Sequence, residues 1–379
     1  MIFVNELSKS FGATPILRDV SFNVPDGEKI GLVGPNGTGK STLLKLVAGV
    51  ETPDSGTAGW KAGELSYLNQ DVPFESDRRL LEELWVSFDD VTTLQSEIDQ
   101  VSELISQGTG DIDRLIEQQA SLFSAFEALD GYRIEERIGR VLDGLGFTKE
   151  DRDKKCGDFS GGWKMRIGLA KILVRQPEHL LLDEPTNHLD ERAKTWLTQY
   201  LSQFSGTVVL VTHDRDFLDG VAKRIVELRD GLVTSYVGNY SSFLTQKAAK
   251  IAQLEKAATQ ENREIARQER FIERFRSKAT KATQVASREK SLGKINRTVL
   301  PTNEKHVSFQ LESSGRVERE VLQVDGLGHN WDDQTILIDA NMVVERGQKV
   351  VLVGPNGSGK STFLRAISGE FAPTEGSIM

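Results

Sequence analysis

The strongest constraint on the fold is a stretch that occurs twice. Residues 31–50 read GLVGPNGTGKSTLLKLVAGV and residues 351–370 read VLVGPNGSGKSTFLRAISGE, with 12 of the 20 positions identical at a constant offset of 320. The match extends outward: Val24-Pro-Asp-Gly-Glu-Lys-Ile aligns with Val344-Glu-Arg-Gly-Gln-Lys-Val, and Pro53 and Gly56 align with Pro373 and Gly376. A single offset over this span implies a duplicated unit rather than two chance motifs. Each copy contains GxxxxGK[ST]. In the first it is Gly34, Pro35, Asn36, Gly37, Thr38, Gly39, Lys40 and Ser41, followed by Thr42. In the second it is Gly354, Pro355, Asn356, Gly357, Ser358, Gly359, Lys360 and Ser361, followed by Thr362. Glycines let the backbone wrap an anion with its N–H groups inward, and the next helix adds its N-terminal partial charge. The context fits, because Lys29–Val33 reads as a strand and Ser41–Ala48 as a helix. Lys40 is expected at the β- and γ-phosphates of a nucleotide, and Ser41 on Mg²⁺, with Ser361 repeating that role. A glycine-rich turn that merely joins strand to helix is the simpler alternative; its recurrence in one context argues against it.

A second set of residues completes a nucleotide-hydrolysing pattern. His179-Leu-Leu-Leu-Asp183-Glu184 is an apolar strand ending in two carboxylates. Asp183 is expected to hold the metal's hydration shell, and Glu184 to orient or deprotonate an attacking water. Pro185-Thr-Asn-His-Leu-Asp190 follows, and then the apolar strand Thr207–Val211 leads to Thr212 and His213, placed to contact a γ-phosphate. Alone, the first would be a strand with a solvated acidic turn, and the last a packing histidine. Ser160, Gly161 and Gly162 precede a helical run, with Ser160 as an N-cap and two glycines exposing N–H groups to a further phosphate.

The ordered set resembles an ATP-binding cassette: Walker A, Gln70 ending the strand of Ser66-Tyr-Leu-Asn-Gln70, Ser-Gly-Gly at 160–162, LLLDEPTNHLD and His213. More closely it resembles the ABC-F family, which carries two cassettes in one chain without a membrane domain. The resemblance implies a P-loop α/β fold, ATP and Mg²⁺ as ligands, and Gln70 beside the metal and the attacking water. It also implies that Phe11 and Trp331, at one repeat register, stack on adenine. Trp163 departs from the Gln common in transporter cassettes but suits this family. Three segments are expected: a first cassette at 1–240, a basic helical linker at 241–310 and the N-terminal part of a second cassette at 311–379. In such a family each ATP lies between one cassette's P-loop and the other's Ser-Gly-Gly. The second copy here stops before its own Ser-Gly-Gly and Walker B acid, so it is expected to be truncated or degenerate, with weak turnover unless chains pair.

Charge locates the partner. The net charge of −9 argues against nucleic acid, but the average is misleading. Residues 241–300 hold 14 Lys and Arg against 6 Asp and Glu, a net of +8, leaving −17 elsewhere. Within this stretch lie Arg270, Arg274, Arg276, Lys278, Lys281 and Arg288, interleaved with Phe271 and Phe275. A solvated helical pair with an apolar seam is the plain alternative, yet counterion release favours RNA on such a surface. Leu94, Ile98, Val101 and Ile105, then Ile112, Leu115, Gln119, Leu122 and Phe126, recur at helical spacing around Gln107-Gly-Thr-Gly-Asp111, predicting an αα-hairpin. The resemblance implies that this hairpin, about residues 89–130, is an arm touching the ribosome, and that the linker reaches toward tRNA and rRNA.

No apolar run is long enough to span a membrane, no secretory signal precedes the first strand, and Cys156 is the only cysteine. A cytoplasmic protein without a membrane partner is therefore expected. Two other readings compete with an ABC-F ATPase on the ribosome. A transporter ATPase subunit would ordinarily carry one cassette and need no basic linker. A DNA-associated ABC ATPase remains compatible, because basic helices do not separate DNA from RNA.

Overall fold

A computed structural model of the chain describes residues 1–68, 76–275, 319–331, 334–354 and 357–379, together with 290 and 292. The fold is α/β, and two sheets build the first copy. One is an antiparallel layer of β1 (Ile2–Phe11), β2 (Thr14–Val24) and β4 (Ser55–Trp60), in the order β2-β1-β4. The other has six strands in the order β5-β6-β7-β3-β8-β9. Its members are β3 (Lys29–Val33), β5 (Leu65–Leu68), β6 (His179–Asp183), β7 (Thr207–Val211), β8 (Arg224–Arg229) and β9 (Leu232–Val237). β5 to β8 and β3 run parallel, and β9 closes the edge antiparallel to β8. Parallel strands covered on both faces read as continuous apolar runs, which is why His179–Asp183 and Thr207–Val211 are buried at every position.

That central position sets the chemistry. Helix α1 (Lys40–Val47) leaves the end of β3 and packs Leu43, Leu44, Leu46 and Val47 against Leu32, Leu181 and Val209. The opposite face of the sheet is covered by α6 (Gly161–Arg175), α7 (Glu191–Gln203) and α8 (Arg215–Val221), which bury Leu169, Leu173, Leu197 and Phe217. Between β5 and α6 lie the short α2 (Leu80–Trp85), then α3 (Asp89–Ser106), α4 (Ile112–Ala128) and α5 (Ile134–Gly144). Helices α3 and α4 lie side by side, joined across by a 2.8 Å hydrogen bond from Gln119 to the Ser102 hydroxyl. Asp111 starts α4 by accepting the Arg114 N–H, and Ile98 and Phe126 are buried near its base.

Helix α9 spans Tyr240–Phe275, and at ~1.5 Å per residue its 36 residues reach roughly 54 Å. Its first turns are tied to the sheet, with Lys247 Nζ 2.7 Å from the buried Glu227 of β8.

The duplication is visible in backbone detail. β10 (Glu320–Trp331), β11 (Gln334–Glu345) and β12 (Glu375–Ile378) pair in the order β11-β10-β12, repeating β2-β1-β4. The registers correspond, with Leu322 opposite Val344 as Ile2 is opposite Val24. Left-handed residues recur at the same offset: Asp19 and Asp339 at φ 48° and 46°, Gly56 and Gly376 at 80° and 84°. Helix Lys360–Ile367 follows the second glycine loop as α1 follows the first. One segment differs. Ile30–Val33 are buried between β7 and β8, whereas 350–353 form no strand and Val351 and Val353 are 80% and 87% exposed. No described strand lies beside them.

Candidate nucleotide-binding site

The order β6-β7-β3 brings three strand ends to one edge, the place where open parallel sheets bind ligands. There a cleft of about 340 Å³ is lined by Phe11, Asn36, Gly37, Gly39, Lys40, Ser41, Thr42, Asp183, Glu184 and His213, together with Ile16 and Val211. Residues separated by some 200 positions in the chain thus meet around one loop.

Glycine is required at two points of that loop. Gly39 starts α1 at φ 95°, and a Cβ there would run into Ile16; Gly37, at φ 78°, faces open space. No side chain caps α1, whose N-cap and first residues, Gly39 to Thr42, line the cleft. Lys40 Nζ donates to the Gly34 and Pro35 carbonyls at 2.9 and 3.0 Å, and Thr38 Oγ1 donates to the same Pro35 carbonyl at 2.9 Å. The ammonium is thereby folded over its own loop. Burial lowers the Lys40 pKa from the ordinary lysine value, while Glu184 and Asp183 oppose that shift.

Glu184 follows β6 in a left-handed turn at φ 51°, its N–H donating to the Val211 carbonyl at 2.8 Å. Such a conformation in a non-glycine residue is costly and persists where the surroundings hold it. It sets the carboxylate beside β7's end, with His213 Nε2 3.4 Å from Glu184 Oε1. Burial raises the Glu184 pKa above its ordinary value; His213 and Lys40 pull it down and Asp183 pushes it up. A carboxylate raised in this way is a better proton acceptor than an ordinary glutamate. Asp183 is itself buried.

The donor set suits a magnesium ion. Ser41 and Asp183 offer a hydroxyl and a carboxylate to the same cleft, and Mg²⁺ commonly takes only one or two protein oxygens while phosphates and water fill the rest. Three-residue clusters of His, Cys, Asp or Glu able to hold a metal are absent among the described residues.

His213 is held from behind. Asp214 caps α8 by accepting the Phe217 N–H at 3.0 Å and pairs with Lys194 at 3.0 Å. Burial opposes ionisation of Asp214, but the Phe217 bond and Lys194 prevail and its pKa lies below the ordinary aspartate value. A lowered carboxylate pKa contributes stability above its unfolded value and loses it as pH falls through the folded one. Asparagine caps equally well but carries no charge. Asp214→Asn is therefore expected to be less stable than wild type at neutral pH, with the gap closing below about pH 4. Urea denaturation at a series of pH values checks this, and a gap that widens in acid would contradict it.

Other expected site residues fall elsewhere. Ser160 stands at the N-cap of α6, as the sequence predicts, without a capping bond from its hydroxyl; its carbonyl accepts the Lys164 N–H at 2.9 Å. Among the residues lining the Lys40 cleft, none comes from 160–162. Trp331 is 49% exposed, as Phe11 is 51%, and its ring packs edge-on against His329 and Phe371 at 4.9 and 5.4 Å. In the second loop Lys360 Nζ donates to the Gly354 carbonyl at 2.7 Å, repeating the Lys40 contact. Gly357, Ser358, Gly359, Ser361 and Thr362 surround the start of that helix. Arg270 and Arg274 lie on the last turns of α9, with Arg270 Nε bonded to the Ala266 carbonyl. Gln70, Pro355, Asn356, Arg276, Lys278, Lys281 and Arg288 lie outside the described residues.

Sequence reasoning did not single out Ile16, which walls the loop from β2. The repeat carried a signal for it: Ile16-Leu17 and Ile336-Leu337 share the offset, and both pairs pack against the last glycine of their loop.

A parallel sheet with a Walker loop, two carboxylates and a histidine at one edge defines a nucleotide-binding P-loop cassette. The model of the family described as ABC transporter matches residues 17–187 and 337–379, and a second model of the same description matches 226–310. The chain is 34% identical over 384 residues to ABC transporter F family member 2 of Arabidopsis thaliana, covering 99% of this chain and 56% of that one. It is 33% identical to the probable ATP-binding protein YheS of Escherichia coli K12 over 379 residues, 100% of this chain and 58% of that one. It is also 31% identical over 380 residues to an uncharacterized ABC transporter ATP-binding protein, YfmM, of Bacillus subtilis, 100% of this chain and 73% of that one. The chain therefore belongs to the ABC transporter ATP-binding family, with F-family members among its relatives. It spans little more than half the length of most of these curated relatives. No helix among the described residues is long and apolar enough to cross a membrane.

Proposed function

We propose that this protein is an ABC-F-type ATPase that engages the ribosome in the cytoplasm. The observation that carries the reading is the convergence of Lys40, Ser41, Asp183, Glu184 and His213 on one cleft. Lys40 and the α1 N–H groups neutralise the β- and γ-phosphates of ATP, and Phe11 at the mouth stacks on adenine. Ser41 and Asp183, with Gln70, would hold Mg²⁺, and the ion would supply positive charge to the phosphate oxygens. Glu184 accepts the proton of the attacking water, and His213, in contact with Glu184, fixes its direction. Ser160, Gly161 and Gly162 serve the nucleotide of a facing cassette, and Trp331 and the second glycine loop mark the place of a second, weaker nucleotide site that lacks the strand-end groups of the first among the described residues. The net +8 over residues 241–300 supports RNA contact by α9 and the basic residues after it, and the α3–α4 pair supports a second contact. F-family names among the relatives favour this over a transporter subunit.

Sedimentation with ribosomes at rising salt tests the proposal. Ribosome association is expected to be stronger with ATP than with ADP and to fall steeply with salt, as phosphate neutralisation requires. Replacing Arg270 and Arg274 together with Glu should weaken it by about tenfold or more at 150 mM salt. Equal affinity for duplex DNA without ribosome association would sink the reading in favour of a DNA-associated ATPase.

A further inference from the structure

Arg166 is the largest fully buried side chain among the described residues, and neither the glycine loop nor the cleft accounts for it. A buried guanidinium is costly unless its donors are satisfied and its charge is paired. Here Nε and Nη2 both donate to the His188 carbonyl, at 3.1 and 2.8 Å. Nη1 donates to the Leu145 carbonyl at 2.7 Å, and Nη2 also lies 3.3 Å from Asp190 Oδ2. Four of its five N–H groups are thus used. Its plane lies over the Trp163 ring, 4.3 Å from the centroid.

One end of this fork meets a segment whose backbone is both strained and crowded. His188 sits at φ 66°, a left-handed conformation that a non-glycine residue holds only when fixed from outside. The Arg166 fork grips the carbonyl of that residue. The same histidine packs on the Ser-Gly-Gly turn: a Cβ on Gly162 would lie 3.2 Å from His188 Cβ. The turn between Glu184 and Asp190 is closed by Asn187 N–H to the Glu184 carbonyl and Leu189 N–H to the Thr186 carbonyl, at 3.1 and 3.2 Å. Asp190 in turn caps α7 through the Ala193 N–H. One side chain therefore fastens the segment leaving Glu184 onto the helix that presents Gly161 and Gly162.

We propose that Arg166 is a positioning residue, whose buried fork sets the 186–189 turn and through it the mutual placement of Glu184 and the Ser-Gly-Gly glycines. The inference rests on the nucleotide reading of the cleft for its functional consequence, but its structural half stands without it. Lysine keeps the charge but not the planar fork, so it cannot hold one carbonyl with two donors while reaching Leu145 and Asp190.

The test compares Arg166→Lys, Gly162→Ala and Lys40→Ala with wild type. It reads amide hydrogen exchange, binding of a fluorescent ATP analogue, phosphate release and melting temperature. In Arg166→Lys the Asn187 and Leu189 amides are expected to exchange about tenfold faster or more, while core amides of β6 and β7 keep their protection. Affinity for the analogue should stay within about threefold of wild type, and kcat should fall about tenfold at nearly constant KM. Gly162→Ala, which leaves the fork intact but crowds His188 from the other side, should loosen the same two amides. It also serves as the independent probe if Arg166→Lys loses its fold. Unchanged exchange at Asn187 and Leu189 in folded Arg166→Lys would overturn the inference, as would loosened exchange with kcat untouched. Failure of the nucleotide reading looks different: Lys40→Ala would then bind the analogue as wild type does, whatever the two amides show.

Discussion

Glu184→Gln should reduce the protein's phosphate release by roughly 10²–10³-fold while leaving its affinity for ATP at or above the wild-type value. The size follows from what the substitution removes. Glutamine has nearly the same shape, tolerates the same φ of 51° no worse than glutamate, and can still accept the His213 N–H. What it lacks is a site for a proton. Burial raises the Glu184 pKa, which makes the carboxylate a stronger base toward water held in line with a phosphate. The same burial makes its negative charge unwelcome next to a triphosphate, so removing that charge should not weaken binding. Lys40 also loses a neighbouring carboxylate that favours its protonated form, although Asp183 remains. The measurement is steady-state phosphate release beside equilibrium binding of ATP by wild type and variant. A fall of less than threefold would remove Glu184 from the chemistry, and parallel losses in binding and turnover would make it a structural residue.

What the sequence makes legible depends on how local the cause is. The strand, loop and helix around Lys40 can be read because each motif position has a local reason. Lys29–Val33 is an apolar strand, Gly39 must turn left-handed, and the apolar spacing after Lys40 is helical. The α3–α4 pair is similarly legible from spacing at 3–4 residues, although α3 begins at Asp89, five residues before the apolar pattern starts at Leu94. Asp89 and Asp90 occupy its first turn, where carboxylates favour a helix N-terminus.

Contacts made across the chain are not legible in this way. β1, β2 and β4 carry mixed burial on a layer with register shifts, so no clean alternation announces them. Arg166 reads as one charge in an amphipathic run, and only the fold shows it enclosed by Leu145, His188 and Asp190. Ser160 is legible in position but not in its bonding. Its residue type predicts a side-chain cap, yet the helix begins there without one, because capping depends on a rotamer that composition does not set. Nor could the motif tell its two copies apart, since their loops share sequence while their surroundings do not.

That difference in surroundings gives the second large effect. Ligand that binds only the folded state stabilises it by RT ln(1 + [L]/Kd), about 2.7 kcal/mol at a hundredfold excess over Kd. For a cassette of this size the expected rise in melting temperature is roughly 5–10 °C. Lys40→Ala should abolish most of that rise and weaken ATP binding by about a hundredfold, because it removes the half-buried ammonium that we propose meets the phosphates. Lys360→Ala makes the same change in an identical Gly-Lys-Ser sequence. There, however, residues 350–353 form no strand, and no described carboxylate-bearing strand faces the loop as β6 faces Lys40. The fixed groups that close the first site are therefore lacking among the described residues around the second. Lys360→Ala is expected to leave the ATP-induced rise within about 2 °C of wild type. Calorimetric melting of both variants with and without MgATP decides the matter. Equal losses would mean that the glycine loop alone carries the binding energy, and that the strand ends bearing Asp183, Glu184 and His213 serve hydrolysis only.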